Sequence, residues 1–249
     1  MTDLAGDLAV QSYCFRNFKD NRQVAELVKE CGLTAIELCA VHADFADPAG
    51  FAQVLAVYRE AGIRVVSIGV QTLGAEEAAV RPFFECVRMA GARFMSVTFP
   101  VDAVPAAYRT AERLAEEYDV FLGIHNHGGR HWLGSAEMLG SVFRNTGPRI
   151  GLCLDTAWAI DSGEDPVALA ERFSERLYGL HIKDFLYDDH RRHRDVVVGT
   201  GILDLSALFR VLKAREFGGY AALEYEGDVE NPAPALTACT RAVRAAWAE

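Results

Sequence analysis

The segment Gly123–Ser135, "GIHNHGGRHWLGS", carries three of the chain's seven histidines: His125, His127 and His131. Val120, Phe121 and Leu122 run into it, and Gly128 and Gly129 turn the chain in its middle. An apolar run ending in imidazoles has the form of a buried strand opening into a loop that holds a metal or moves protons. A polar loop without chemistry is the competing reading. Further downstream, "GLCLDT", "YGLHIKDF" and "ALEYEGD" end apolar runs in the same way, on Asp155, on His181 and Lys183, and on Glu224 and Glu226.

The elements that must position these groups follow a repeat. "ECGLTAIELC", "EAGIRVVSIG" and "MAGARFMSVTF" each close a helical pattern on a glycine (Gly32, Gly62, Gly91) and continue into a short apolar run. Glycine at a helix C-terminus takes the left-handed conformation without steric cost. The apolar runs are too short for helices and read as buried parallel strands. They fall at Leu8–Cys14, Ala35–Cys39, Arg64–Gly69, Arg93–Thr98, Val120–Asn126, Ile150–Asp155, Leu177–Lys183 and Ala221–Glu226. Most lie roughly 26–30 residues apart, the interval of strand–helix units. Asp47 followed by Pro48 starts one intervening helix; Asp204 starts another, which Gly218 stops. Eight alternations without a Pro/Gly/Ser-rich linker predict one closed (β/α)8 barrel over residues 1–249, with a doubly wound open sheet as the competitor. "LYDDHRRHRDVVVGTG" becomes an enlarged loop over the active face, its "GTG" a turn before a helix.

On this layout all seven histidines, including His42, His190 and His193, lie at or just after strand C-termini, the ends that form the active face of such barrels. Side chains two apart on a strand point the same way. Leu152, Leu154, Leu180, Ile182, Leu223 and Ile124 then face the helices. Cys153, Asp155, His181, Lys183, Glu224, Glu226, His125 and His127 face the axis, as do Ser96, Thr98, Glu37 and Cys39. His125, Asp155, His181 and Glu224 are thereby aimed at one volume. Carboxylates and imidazoles buried together are costly without partners. One divalent metal ion relieves that cost, and mixed nitrogen and oxygen donors suit Mn, Zn, Co or Mg. A buried network of salt bridges and hydrogen bonds is the alternative.

These strand ends resemble the xylose isomerase-like superfamily of TIM-barrel sugar isomerases and epimerases. The most specific pieces are "CLDTAW", "LHIKDF", "VVVGTGILDLSALFRVL" and "ALEYEG". In that family a divalent metal rests on Glu, Asp, His and Glu from the fifth to the eighth strands. Asp155, His181 and Glu224 match the last three, and His125 stands where the first is expected. Many relatives read "ENHGG" where this chain reads "HNHGG", which puts the family's two-glutamate proton transfer in question here. Keto-inositol dehydratases of the same fold carry a His-x-His-x-Gly pattern that "HNHGG" also resembles. By that likeness His131 takes the metal and His125 and His127 do acid/base work. The superfamily's zinc endonucleases resemble "DTxH" after the sixth strand; this chain has "DTAW".

Composition narrows the function classes. The 249 residues are 51% hydrophobic and 24% charged, values of a folded protein with a large core. A net charge of −10 disfavours nucleic acid. No apolar run is long enough to span a membrane, and the first residues do not form a signal peptide. The six cysteines form no C-x-x-C pair and read as reduced packing residues of a cytoplasmic protein.

The resulting expectation is a metal-dependent isomerase or epimerase acting on a small polyol or keto-sugar through an enediolate. A dehydratase on a keto-inositol or keto-glycoside is the second reading, and a non-catalytic sugar-binding barrel the third. Glu224, Glu226, His125 and His127 are the candidate bases, and Lys183 the candidate oxyanion partner, unless it only bridges Asp155 or Glu224. Glu37, His42, His131, Trp132 and Trp158 are expected against substrate, with Gln71 and Arg16 as further guesses. "DDHRRHRD" offers a cationic rim or a solvated loop. Assembly into a homo-oligomer is compatible with all of this.

Overall fold

A computed structural model describes residues 1–249. Its strands are β1 (Ala9–Gln11), β2 (Ala35–Leu38), β3 (Arg64–Thr72), β4 (Phe94–Thr98), β5 (Phe121–His125), β6 (Ile150–Asp155), β7 (Leu177–Ile182), β8 (Phe185–Tyr187), β9 (His193–Asp195) and β10 (Tyr220–Leu223). Eight of them, all parallel, close in the order β1-β10-β7-β6-β5-β4-β3-β2. The helices α1 (Asn21–Glu30), α2 (Pro48–Glu60), α3 (Glu77–Ala90), α4 (Ala106–Tyr118), α5 (Ala136–Arg144), α6 (Thr156–Asp161), α7 (Pro166–Arg172), α8 (Leu205–Ala214) and α9 (Ala233–Ala248) fill the crossovers and follow the last strand. The fold is a TIM barrel, and the open-sheet competitor is excluded by closure.

Local chemistry sets the helix ends. Asp47 accepts the Ala49 N–H ahead of Pro48, and Asp204 accepts the Ala207 N–H. Gly32, Gly62 and Gly91 have φ of 73°, 75° and 68°, the left-handed values a helix stop needs before each strand. α8 ends at Ala214, short of Gly218, with Glu216 already left-handed.

Strand alternation divides the interior as the sequence pattern requires. Leu122, Ile124, Leu152, Leu154, Leu180, Ile182 and Leu223 belong to the large apolar layer between barrel and helices. Ala9, Ala35, Cys153, Tyr220 and Ala222 form a separate small cluster inside the barrel. β1 is shorter than Leu8–Cys14, because the Gln11 side chain accepts the Tyr13 N–H and turns Ser12–Phe15 into a 3-10 helix. β10 ends before Glu224, whose N–H still donates to the Ile182 carbonyl. The charged loop after β7 contains an antiparallel hairpin, β8 with β9. All six cysteines are buried and free. No helix is long and apolar enough to cross a membrane.

Candidate metal and proton-transfer site

Register brings the four predicted groups together. Asp155 on β6 lies directly beside His181 on β7. Ala222 on β10 also lies beside His181, so Glu224, two residues further on, shares its inward face. His125 ends β5 beside Cys153, two residues before Asp155. His125, Asp155, His181 and Glu224 are all buried, each offering one donor atom, and these atoms lie within 4.8 Å of one another. His125 Nε2 is 2.9 Å from His181 Nδ1, 3.5 Å from Asp155 Oδ2 and 3.8 Å from Glu224 Oε2. Glu224 Oε2 is 2.6 Å from His181 Nδ1.

This donor set fits a divalent cation. Asp155 Oδ2 and Glu224 Oε2 are buried without a directed hydrogen bond, as is His125 Nδ1. Unpaired carboxylate oxygens beside two imidazole nitrogens form an electron-rich cluster that a cation neutralises. In the protein alone the imidazoles take that part: burial pushes His181 and His125 down, but the surrounding acidic groups outweigh it and both are raised. Burial likewise acts upward on Glu224, and Lys183, His181 and His125 hold its carboxyl well below the ordinary range.

Two side chains that the sequence reading passed over fix the strand ends. Asn126 Nδ2 donates to the Asp155 carbonyl at 2.9 Å, and its Oδ1 accepts the Asp155 N–H at 2.8 Å. Thr156 Oγ1 donates to the Lys183 carbonyl and accepts the Lys183 N–H, at 2.6 and 2.9 Å. Each clamps one ligand-bearing strand end to the next. Asp155 is itself oriented, since its Oδ1 caps α6 by accepting the Trp158 N–H at 2.8 Å. Asp184 anchors the following loop by accepting the N–H groups of Gly199, Gly201 and Leu203.

Lys183 is buried and pairs with Glu226, with Asp195 at 3.8 Å and Glu224 at 3.9 Å. Burial works against its charge, but Glu224, Asp155, Glu226 and Asp195 prevail and keep it an ammonium. Its Nζ lies 5.1 Å from the centre of the half-buried Trp158 ring. The Trp158 ring packs edge-on against Phe185 and His193, and His193 stacks on Phe185 at 4.3 Å. The hairpin thus walls this side of the site. Arg192 within it pairs with Asp188.

His127 stands next to the cluster, its ring 4.7 Å from that of His125 and 5.2 Å from that of His131. Burial, with help from His125 and His131, pushes His127 down to about 4. His131 is half-buried, and its Nδ1 accepts the Leu133 N–H. It is not among the four converging groups.

Two placements correct the sequence reading. Glu37, expected against substrate, has no exposed surface and lies beneath His181, whose Nε2 is 2.5 Å from Glu37 Oε2. His42 is turned away as well. It is 4% exposed, with Nε2 against the Phe18 carbonyl at 2.9 Å and Nδ1 3.9 Å from Cys39 Sγ. Trp132 spends its indole N–H on the Phe99 carbonyl and packs against the apolar layer. Arg16 donates to the Glu226 carbonyl and so braces the segment after β10. Gln71 is 5% exposed. A cavity of about 920 Å³ opens at the opposite end of the barrel, near Arg64, Phe94 and Tyr220. It holds no convergent ligand set, so chemistry and not volume locates the site.

Residues 101–243 match the model of a family described as a xylose isomerase-like TIM barrel. The chain is 26% identical over 194 residues to the rhizopine catabolism protein MocC of Rhizobium meliloti, covering 72% of this chain and 57% of that protein. It is 28% identical over 137 residues to an inosose dehydratase of Bacillus velezensis, covering 48% and 46%. The chain therefore spans about half the length of these curated relatives. A sugar phosphate isomerase/epimerase structure from Parabacteroides distasonis superposes with a TM-score of 0.74 at 16% identity over 96% of each chain, a likeness of fold.

Proposed function

The chain belongs to the xylose isomerase-like TIM-barrel family, and on that premise we propose that it is a divalent-metal-dependent isomerase or epimerase of a small keto-sugar or polyol, working by proton transfer. The observation that carries this reading is the buried convergence of His125, Asp155, His181 and Glu224 at the ends of adjacent strands. A cation held by these four, whether Mn, Zn, Co or Mg, supplies polarisation of a substrate carbonyl and charge stabilisation for the enediolate.

The chain's own residues do the rest. A base takes the proton α to the carbonyl, and the C–H electron pair becomes the new C=C bond as the carbonyl oxygen gains negative charge. Lys183, held as an ammonium, donates to that oxygen. Glu226, in contact with Lys183, and Glu224, 3.9 Å from it, are carboxylate bases on one side. His127 lies on the His125 side and is unprotonated at neutral pH, able to accept or return a proton. Return to the neighbouring carbon gives an isomer, and return to the opposite face gives an epimer. His131 and the Trp158 ring bound the volume that substrate would fill.

A second reading is dehydration of a keto-inositol or keto-glycoside. It is favoured by the likeness to inosose dehydratase and by the ladder of His125, His127 and His131 rings, in which His127, once it has taken the α proton, is the acid for a departing β-hydroxyl. The test is to dialyse the protein against chelator and restore each metal. The protein is then incubated with keto-inositols and ketohexoses in deuterated water. Metal-dependent deuterium at carbon without loss of water supports the isomerase or epimerase. An ultraviolet-absorbing enone supports the dehydratase. Stoichiometric metal with neither signal points to the non-catalytic sugar-binding barrel.

A further inference from the structure

We propose that Glu37 is a positioning residue that fixes the tautomer of His181, so that Nδ1 is the nitrogen offered to the cation; this rests on the metal site of the proposed function. The two oxygens of Glu37 have separate tasks. Oε1 accepts hydrogen bonds from Ser96 Oγ at 2.6 Å, Ser67 Oγ at 2.9 Å and Tyr220 Oη at 3.0 Å. Oε2 meets only His181 Nε2, at 2.5 Å. A carboxylate is an acceptor on both oxygens, so Nε2 must carry the hydrogen. In the neutral ring the opposite nitrogen, Nδ1, is then the lone-pair atom, and it faces His125 Nε2 and the oxygens of Asp155 and Glu224 that lack a directed hydrogen bond. A carboxylate behind a ligating imidazole holds both ring orientation and basicity.

The barrel is built around this cradle. A Cβ on Gly69 would stand 1.7 Å from Ser96 Oγ and 2.9 Å from Glu37 Oε1, so β3 leaves its side chain out where the cradle needs room. A buried acid with this many donors is costly to assemble if it does nothing for the imidazole above it. His125 shows the contrast. Its Nδ1 has no partner at all, so no such brace holds its ring. His181 is therefore the fixed nitrogen donor, and His125 the one free to exchange metal for a proton-transfer role.

The replacement Glu37→Gln separates this from a merely structural role. Three hydroxyls donate into the Oε1 position, so the amide places its oxygen there and turns its NH2 group to His181. Nε2 must then accept, and the hydrogen moves to Nδ1, the ligand atom. Calorimetric titration with Zn2+ is expected to show a loss of affinity of about 10- to 100-fold in the folded variant. Nitrogen-15 spectra of the Zn2+-loaded parent protein are expected to show Zn2+ on His181 Nδ1 and hydrogen on Nε2. Zn2+ on Nε2, or an undiminished affinity in Glu37→Gln, overturns the inference and leaves the metal site standing. A parent protein that takes up no Zn2+ overturns the metal site itself, and this inference with it. If the variant does not fold, the parent spectrum alone decides which nitrogen is the ligand.

Discussion

His125 Nε2 and His181 Nδ1 stand 2.9 Å apart inside the barrel, with Asp155 Oδ2 and Glu224 Oε2 beside them and unpaired. A cation that binds this folded cluster and not the unfolded chain stabilises by mass action, by about 2.7 kcal/mol at a hundred times its Kd. For a chain of this size that is roughly 5–10 °C in Tm. Adding Mn2+ or Zn2+ to chelator-treated protein is expected to raise Tm by that amount. Asp155→Asn should remove the shift while keeping the fold, because its remaining carbonyl oxygen still caps α6. Elemental analysis should find one ion per chain in the parent and none in the variant. A Tm indifferent to every divalent metal would show that the four groups are a salt-bridge network.

Lys183 gives a different kind of prediction. Its side chain is 1% exposed and neutralises Glu226, Glu224 and Asp195. Removing one member of a buried ionic set leaves the others uncompensated, at about 3–5 kcal/mol. Lys183→Met is expected to lower the unfolding free energy measured by urea titration by that cost. Lys183→Met with Glu226→Gln should regain part of it. Equal losses in the single and double variants would mean that Glu226 is not the carboxylate Lys183 compensates.

The eight strand positions, the inward set and the four converging groups were legible in the sequence, because glycine-terminated helices and strand alternation are local signals. Depth was not. Alternation gives the face of Glu37 but not its layer, and hydroxyls from Ser67, Ser96 and Tyr220 hold it under His181 with no exposed surface. His42 follows a strand end as a functional histidine would, yet a 3-10 turn brings Phe18 close enough to take its N–H. Asn126 and Thr156 sit inside the motifs, but a clamp made to a neighbouring backbone leaves no pattern in one chain. The β8–β9 hairpin was hidden because it stacks His193, from a charge run that reads as solvated, on Phe185.

The buried His42 makes stability depend on pH. Burial lowers its pKa, more than its bond to the Phe18 carbonyl raises it. In the unfolded chain an imidazole protonates near pH 6.5. Its contribution is therefore fully present above about pH 6.5 and is lost as pH falls through that value toward the lower folded pKa. Thermal unfolding from pH 7.5 to 5 should give a shallower decline for His42→Gln than for the parent. The glutamine amide still donates to Phe18 but does not titrate. Parallel slopes would mean that His42 titrates alike in the folded and unfolded chains.

Gln71 Nε2 and Thr98 Oγ1 are buried donors without partners, on β3 and β4. Thr98 lies two residues beyond Ser96, and so on the same inward face, one step nearer the mouth. An unmade buried hydrogen bond costs about 1–3 kcal/mol, whereas an apolar group of the same shape costs nothing comparable. Thr98→Val should accordingly leave the ligand-free protein as stable as the parent or raise its Tm by a few degrees, on the order of 2–4 °C. The same replacement should raise KM, by about tenfold for one lost hydrogen bond, for whichever keto-sugar exchanges deuterium. Zn2+ affinity should not move, since Thr98 is not among the four converging groups. This opposition of signs separates a group kept for substrate from one kept for the fold. A clear fall in Tm would mean that the hydroxyl already has a partner within the protein and is no part of a substrate subsite.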